Sequence, residues 1–385
     1  MVKCHIETQQ INKQNIKKLK KFFLLLSIVS FFCLNANAQK EEKKLPATKT
    51  SVVDNLNVSG NFFIASTYYE NTGTKYFGFN IRRSYINIKY KFTDKLDFRY
   101  TQDLTIDNEG KDAGNIELRI KYLYLRYRLP GLFFFRDNSI KFGISQRPWL
   151  DFEEHINFYR VQGSMFLERS LLFNSSGFGL SFESLLGGKL DNAYAEKVKP
   201  KAPGKYGSLA MGLYNGGGYH QFEKNRVKNF EVRVTVRPLY NLLPQLQFSY
   251  FGIYGTGNIP ENPCFNLNSG FVSYQSQYLS FTAQYEKGRG NSFGTMINDS
   301  TFESYNHEGY SFYGNFKIPK TSVSVFSRYD NFQLYDEDNT LIKRYIGGIS
   351  WLFYKKNKLV LSYQTEDFKR EKNRVRYDLA LDISF

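Results

Sequence analysis

Apolar and polar side chains alternate along most of the chain, as they do in β-strands that turn one face to an apolar environment and the other to water. In residues 96–106, apolar side chains take nearly every second position, and charged and hydroxyl side chains fill the positions between them. The same alternation returns at residues 230–237, 279–286, 322–329 and 375–385. About sixteen such segments lie between Asn57 and Phe385, and no stripe with the 3.6-residue period of a helix accompanies them. The pattern predicts an all-β chain of about sixteen strands.

The predicted connections alternate between short and long. Every second connection is short, at residues 93–95, 275–277, 318–320 and 355–358. The others are longer and polar, at residues 107–115, 215–229, 255–268, 286–308, 332–341 and 364–374. Outer-membrane barrels have this asymmetry, with short periplasmic turns and longer outer loops. Residues 186–208 break the rule, because a short turn is expected there, and the sequence leaves open a missed strand or an elaborated turn.

A closed barrel explains both patterns. In hydrocarbon every backbone N–H and C=O group needs a partner within the sheet, and a sheet supplies one everywhere only by closing on itself. Tyr and Phe near the strand ends would form the interfacial girdles. The predicted fold class is therefore an all-β transmembrane antiparallel β-barrel of about sixteen strands. A soluble all-β protein is the alternative, because a half-buried sheet gives the same alternation in any single strand.

The N-terminus has the features of an export signal. Five lysines between residues 13 and 21 precede an apolar stretch at residues 22–34, and Ala36 and Ala38 supply the small side chains that a signal peptidase reads. We expect cleavage after Ala38. The predicted organisation is a cleaved signal peptide at 1–38, a short periplasmic N-terminal segment at 39–56 and the transmembrane β-barrel at 57–385.

Composition and charge narrow the class further. Aromatic residues make up 17% of the chain, which excludes a disordered protein, and no apolar run reaches the 18 residues of a membrane-spanning helix. The formal net charge is +16; removing six Lys and one Glu with residues 1–38 leaves 46 basic and 35 acidic residues, a net charge of +11. Cys264 is then the one remaining cysteine, which excludes an internal disulfide and a thiolate metal cluster.

Five short motifs carry a family resemblance through their order and spacing. They are FNIRRSYINI at 79–88, TDKLDFR at 93–99, IKFG at 140–143 followed by Pro148, FLERS at 166–170 and YNG at 214–216. Together they resemble the phosphate-selective porin family, porins O and P, over most of the predicted mature chain. The resemblance implies a sixteen-stranded, trimeric outer-membrane channel whose luminal arginines and lysines conduct anions. It does not by itself imply phosphate specificity. The last strand also looks like the signal read by the barrel-assembly machinery, through Tyr377, Leu379, Leu381, Ile383 and Phe385.

Arginines on the polar faces of the predicted strands are the candidates for the channel lumen. By parity they are Arg99, Arg126, Arg128, Arg233 and Arg328. Guanidinium groups attract anions and match the oxygens of phosphate well. Acidic side chains share the same faces, however, and the alternative is that opposite charges pair across neighbouring strands and simply keep the lumen wet. Within residues 116–129 the alternation changes parity midway, which leaves the strand register there open.

The connection from Ser145 to Ser176, after the predicted fifth strand, is the candidate for a loop that folds back into the lumen. Its 32 residues are more than a simple link needs. Arg147 and Arg169 are the candidate constriction residues; alternatively, Glu168 and Arg169 pair and pin the loop to the wall. Of the adjacent Arg82 and Arg83 we favour Arg83, since strict alternation allows one of the two to face the lumen.

The predicted function is a passive, anion-preferring channel of the bacterial outer membrane. Its expected partners are outer-membrane lipid including lipopolysaccharide, two further copies of the chain in a homotrimer, the barrel-assembly machinery and small anionic solutes. The alternatives are a non-conducting barrel that acts as an adhesin or surface structural protein, and a channel for neutral solutes such as sugars.

No enzymatic activity, cofactor, metal site or nucleic-acid partner is predicted. His155, His220 and His307 fall in predicted loops without metal-ligand spacing. The chain has no Gly-x-Ser-x-Gly elbow and no phosphate-binding Gly-x-x-x-x-Gly-Lys loop.

Overall fold

The structure is a computed structural model that describes residues 52–71, 73–106, 114–219, 221–368 and 374–385. All the strands described below belong to the unit Asn55–Phe385. The predicted signal peptide and most of the predicted periplasmic segment lie outside the described residues.

Sixteen antiparallel strands form one closed barrel, because the first strand pairs with the last and every other strand pairs with its neighbours in sequence. The strands are β1 (Leu56–Asn71), β2 (Thr74–Lys91), β3 (Leu96–Ile106), β4 (Ile116–Arg128), β5 (Phe135–Gln146), β6 (Ser176–Leu186), β7 (Gly207–Tyr214), β8 (Asn229–Val236), β9 (Leu246–Thr256), β10 (Cys264–Gln275), β11 (Leu279–Arg289), β12 (Asn306–Lys317), β13 (Val323–Leu334), β14 (Leu341–Tyr354), β15 (Asn357–Phe368) and β16 (Arg374–Ser384). The predicted fold class is confirmed.

The helical elements are short and lie in the connections. They are a 3-10 turn at Val52–Asn55 and the helices α1 (Leu150–Glu153), α2 (Phe166–Arg169) and α3 (Ala193–Val198). In the part of the chain that the structure describes, no helix is long and apolar enough to cross a membrane.

The wall is apolar outside and polar inside, as the alternation predicts. In β11 the side chains of Leu279, Phe281 and Tyr285 are exposed on the outer surface, whereas Ser280 and Thr282 point inward and are buried. The terminal strand follows the same rule, with exposed, outward side chains at Tyr377, Leu379, Leu381 and Phe385 and a partly exposed Ile383. An exterior of this kind is stable only when hydrocarbon covers it.

The connection between β6 and β7 is an elaborated turn and contains no missed strand. Its helix α3 is capped by Asn192, whose Oδ1 accepts a hydrogen bond from the Ala195 N–H at 2.9 Å. One isolated bridge, between Lys189 and Gly204, joins its two arms. This turn lies at the same end of the barrel as the short turns and the C-terminus, which is the periplasmic end in barrels of this class.

A β-bulge in β4 explains the change of parity near residue 120. Thr101 of β3 pairs with Tyr122 and Gln102 pairs with Ile120, so Lys121 is an extra residue in the ladder. Lys121 and Tyr122 are consequently both buried on the inner face. The apolar side chains on either side of the bulge still reach the outer surface.

A second bulge brings two adjacent arginines to the lumen. Phe63 of β1 pairs with Arg83 and Ile64 pairs with Ile81, so Arg82 is the extra residue. Arg82 forms an ion pair with the buried Asp378 of β16, and Arg83 Nη1 donates to Tyr85 Oη at 3.3 Å. The expectation that one of the two arginines faces the lumen is therefore wrong, because a bulge suspends strict alternation.

Candidate channel constriction

The connection between β5 and β6, residues 147–175, folds into the lumen and is held there mainly by apolar contacts. Trp149 is fully buried, stacks on Phe251 of β9 at 5.4 Å between ring centroids, and meets Phe271 of β10 edge-on at 4.9 Å. At this place the inner face of the wall is apolar, although the inner faces of the other strands are polar. The apolar patch on β9 and β10 is thus the docking surface for this inserted loop.

The middle of the inserted loop packs further along the wall, on β12 and β13. The Tyr159 ring stacks on Phe326 of β13 at 4.0 Å, and its hydroxyl donates to Asn315 Oδ1 of β12 at 2.9 Å. Val161 joins the same buried cluster. Aromatic stacking with a satisfied hydroxyl gives this contact both burial and a fixed orientation.

A buried ion pair holds the base of the inserted loop. Arg147 Nη1 lies 2.9 Å from Glu231 Oε1 of β8, and both side chains have no exposed surface. The guanidinium also lies 5.6 Å from the ring centroids of Phe173 and Tyr214. The prediction that Arg147 lines the constriction is wrong, because a side chain without accessible surface cannot meet a solute.

Two other predicted lumen residues face inward but lie under the inserted loop. Arg233 Nε donates to the Pro148 carbonyl at 3.0 Å, and Arg328 Nη1 donates to the Ser164 carbonyl at 2.9 Å. Arg328 also pairs with Asp330 at 2.7 Å. Both arginines are about 4% exposed, so they hold the loop and do not line an opening.

Arg169 lies at the far edge of the inserted loop and has a different partner from the one expected. Its guanidinium donates to Gln364 Oε1 at 3.0 Å and to Gln162 Oε1 at 3.2 Å. Glu168 pairs with Arg160, so the alternative of a Glu168–Arg169 pair is also wrong. Within the described ranges Arg169 forms no ion pair. Burial and the neighbouring Arg328 lower its pKa.

The edge of the loop that faces β2 and β4 carries two carboxylates around one arginine. Arg160 Nη1 lies 2.7 Å from Glu154 Oε1 and 3.0 Å from Glu168 Oε2. Burial opposes the ionisation of Glu168, but Arg160, Arg83 and Lys121 together lower its pKa to about 2. Glu168 is therefore ionised at every physiological pH. Its interactions with Arg83 of β2 and Lys121 of β4 place this edge of the loop opposite the basic side of the lumen.

That basic side is a series of cations on the inner faces of β2, β3 and β4, from the outer half of the barrel towards its periplasmic end. We call it the basic track; it consists of Arg83, Lys89, Lys121, Arg99, Arg126 and Arg128.

Four members of the basic track have no carboxylate within ion-pair distance in the part of the chain that the structure describes. Arg83 and Lys121 contact the Tyr85 hydroxyl, Arg99 donates to Asn87 Oδ1 at 2.9 Å, and Lys89 is exposed. Arg126 and Arg128 by contrast share Asp97, at 2.9 Å and 2.6 Å. The alternative of complete pairing across strands thus holds at the periplasmic end of the track and fails above it.

The sequence interpretation omitted Lys89 and Lys121 from the lumen. Lys89 follows the parity of Arg83 along β2, so the alternation itself could have identified it. Lys121 sits at the bulge, and no strand pattern without the partner strand shows which way a bulged residue points.

One expectation about histidine also needs correction. His307 is a residue of β12 and lies on the inner face, where its Nδ1 is 3.0 Å from Glu286 Oε2 and its Nε2 is 3.0 Å from the Gly290 carbonyl. It is therefore a buried strand residue whose two ring nitrogens both have hydrogen-bond partners, and the prediction that it lies in a loop is wrong. His220 lies outside the described residues.

The chain matches no protein-family model and no curated protein. Solved structures of outer-membrane proteins match its fold. They include OmpF of Salmonella typhi in complex with daunomycin (TM-score 0.58, 9% identity, 85% of this chain and 97% of that one) and an anion-selective porin from Comamonas acidovorans (0.57, 8%, 86% and 99%). A third is the trimer form of in-vitro folded OmpT, an outer membrane protein of Vibrio cholerae (0.53, 9%, 86% and 99%).

These likenesses concern the fold, since the identities are low. Together with the closed wall and the apolar exterior, they place the chain in the bacterial outer membrane as a sixteen-stranded barrel of porin type. They do not single out the phosphate-selective porins.

Proposed function

We propose that the protein is a passive diffusion channel that prefers anions. The observation that carries this proposal is the basic track, in which Arg83, Lys89, Lys121 and Arg99 have no carboxylate within ion-pair distance among the described residues. A cation that is already neutralised by its neighbour cannot attract a solute, whereas an unpaired one in a narrow aqueous passage does so strongly. The likeness to an anion-selective porin is consistent with this assignment.

Phosphate and similar oxyanions are the proposed solutes of highest preference. Arg83 and Arg99 offer planar guanidinium forks that match two oxygens of such an ion at once. A homotrimer is the proposed assembly, supported by the trimer form of a protein with the same fold.

Single-channel recording tests the proposed function directly. In planar bilayers with a KCl gradient, we expect discrete conductance steps and a reversal potential of the sign that chloride permeation produces. Absence of steps would favour the non-conducting barrel, and a reversal potential of the opposite sign would refute the anion preference. A reversal potential near zero would favour a channel for neutral solutes.

We also propose that residues 1–38 are removed on export, that residues 39–56 stay in the periplasm and that residues 57–385 form the membrane barrel. Lipopolysaccharide and other outer-membrane lipids would cover the apolar exterior. The barrel-assembly machinery would read the outward side chains of β16, which end with Phe385.

Phe385→Ala is expected to reduce assembly in cells several-fold while leaving the purified barrel almost as stable as before. The ring is 67% exposed, so its removal costs little packing, and the backbone pairs between Phe385 and Gly60, both 3.1 Å, remain. Heat-resistant barrel in isolated outer membranes and refolding in detergent are the two measurements.

The matched control is Phe353→Ala, which removes another outward ring, 42% exposed, from β14. Equal assembly of the two variants would show that the terminal ring is not recognised.

A further inference from the structure

A half-open cavity lies below the inserted loop, at the periplasmic end of the basic track. Its volume is about 650 Å³, within the range of small-molecule sites. Pro148 and Asp151 of the inserted loop form its roof, and Lys189 and Lys201 of the β6–β7 turn form its floor. Lys201 Nζ lies 2.6 Å from Asp151 Oδ2, which ties floor and roof together. We call this cavity the inner chamber.

Cations outnumber acids among the side chains that line the inner chamber. The cations are Arg126, Arg128, Arg136, Lys189, Lys201 and Arg233, and the acids are Asp137, Asp151 and Glu183.

Three of these cations have no carboxylate within ion-pair distance among the described residues, but Arg233 is buried and its guanidinium donates to the Pro148 carbonyl and to two hydroxyl groups. Lys201 is paired with Asp151, and Glu183 is taken by Lys141 at 2.6 Å. Arg136 and Lys189 form no ion pair within the described ranges. Both side chains line the inner chamber, and the backbone of Gly188, the residue before Lys189, lies near the Arg136 side chain.

The inner chamber also has apolar surface. Leu129 and Leu185 contribute to its lining, and each is partly exposed to the cavity or the solvent. A simple inorganic ion would leave this apolar surface in contact with water, whereas an organic ion would cover it and gain free energy from the burial. Apolar walls with a few fixed charged groups are typical of sites for organic ligands.

We propose that the inner chamber binds organic anions that have an aromatic or aliphatic body, with their carboxylates held by Arg136 and Lys189 and their apolar part against the leucines. This inference rests on the proposed anion channel and specifies a class of solute that pauses on the way through it. A solute held in this position obstructs the passage below the basic track while it stays bound.

Ion-current block by phthalate, a dicarboxylate on an aromatic ring, tests the proposal in reconstituted protein. Phthalate is added to each side of the bilayer in turn, and succinate serves as the probe of equal charge with little apolar surface. We expect phthalate to block at lower concentration than succinate. The double variant Arg136→Gln/Lys189→Gln should weaken the phthalate block about tenfold or more, and Lys356→Gln, which removes an exposed turn charge, should not change it.

Equal block by phthalate and succinate, or an unchanged phthalate block in the double variant, would overturn the assignment of the chamber. The reversal potential in a KCl gradient is measured on the same membranes. A wild-type channel that selects anions but shows either of those results refutes the chamber alone, whereas a channel without anion selectivity refutes the proposed function as well.

Discussion

Arg147→Ala is expected to lower the free energy of unfolding by about 3–5 kcal/mol and to make the channel current noisy. Arg147 and Glu231 are both fully buried at 2.9 Å, so removing the guanidinium leaves an ionised or newly protonated carboxyl without a partner. The same arginine carries the start of the inserted loop, and Arg147 Nη2 also donates to the Asn215 carbonyl at 3.3 Å. Without it the base of the loop loses its fixed position, and the loop should then move in and out of the passage.

Two variants separate the loss of the buried pair from the loss of an arginine. Arg128→Ala removes an ion pair of similar length, to Asp97 at 2.6 Å, but the Arg128 side chain is 41% exposed, and we expect a cost of about 1 kcal/mol or less. The double variant Arg147→Met/Glu231→Leu replaces both charges with apolar groups and should recover most of the stability. Urea-induced unfolding from detergent micelles gives the free energies. A double variant as unstable as Arg147→Ala would mean that the pair itself, and not the orphaned charge, determines the effect.

Charge reversal on the basic track should change the selectivity of the channel by about tenfold or more. In Arg83→Glu/Arg99→Glu two unpaired cations become acids beside the passage. A unit charge about 6 Å from a permeating ion contributes roughly 0.7 kcal/mol even at the dielectric constant of water, so reversing one charge alters the energy of that ion by about 1.4 kcal/mol. The passage then becomes less favourable for anions and more favourable for cations. The reversal potential in a KCl gradient should therefore move towards the value of a cation-selective channel.

Two controls test this expectation: a high salt concentration, which screens charges, and a charge reversal outside the lumen. The shift should shrink when both solutions contain about 1 M salt, where the Debye length falls to about 3 Å. Lys355→Glu/Lys356→Glu makes the same change of charge in an exposed turn outside the lumen and should leave the reversal potential where it was. An identical shift in the two proteins would mean that net charge matters and that the track has no special role.

The inserted loop shows where prediction from the sequence was sound and where it failed. Its existence followed from its length and from its place after the fifth strand, and the structure has it between β5 and β6. The roles of its arginines did not follow. Arg147 is a buried anchor and Arg169 bonds to two glutamine side chains, because each role depends on what the far wall presents to the loop.

The basic track was anticipated in part. Arg83, Arg99, Arg126 and Arg128 were predicted to face inward, and the structure places them on one side of the lumen. Arg233 and Arg328 obey the same parity, yet the loop covers them. Alternation distinguishes the inside of a wall from its outside, but it contains no information about what else occupies the inside.

By itself, then, the sequence determined the number of strands, the lipid-facing side of each strand away from the β-bulges, the short and long ends of the barrel and the position of the inserted loop. These features depend on side-chain periodicity and chain length, which are local quantities. The tertiary structure alone decided which cations are paired, which are covered and which remain open, and it created the inner chamber. Pairing and burial are set by contacts between residues far apart in sequence, such as Arg147 with Glu231, Arg169 with Gln364 and Lys201 with Asp151, and no local pattern contains them.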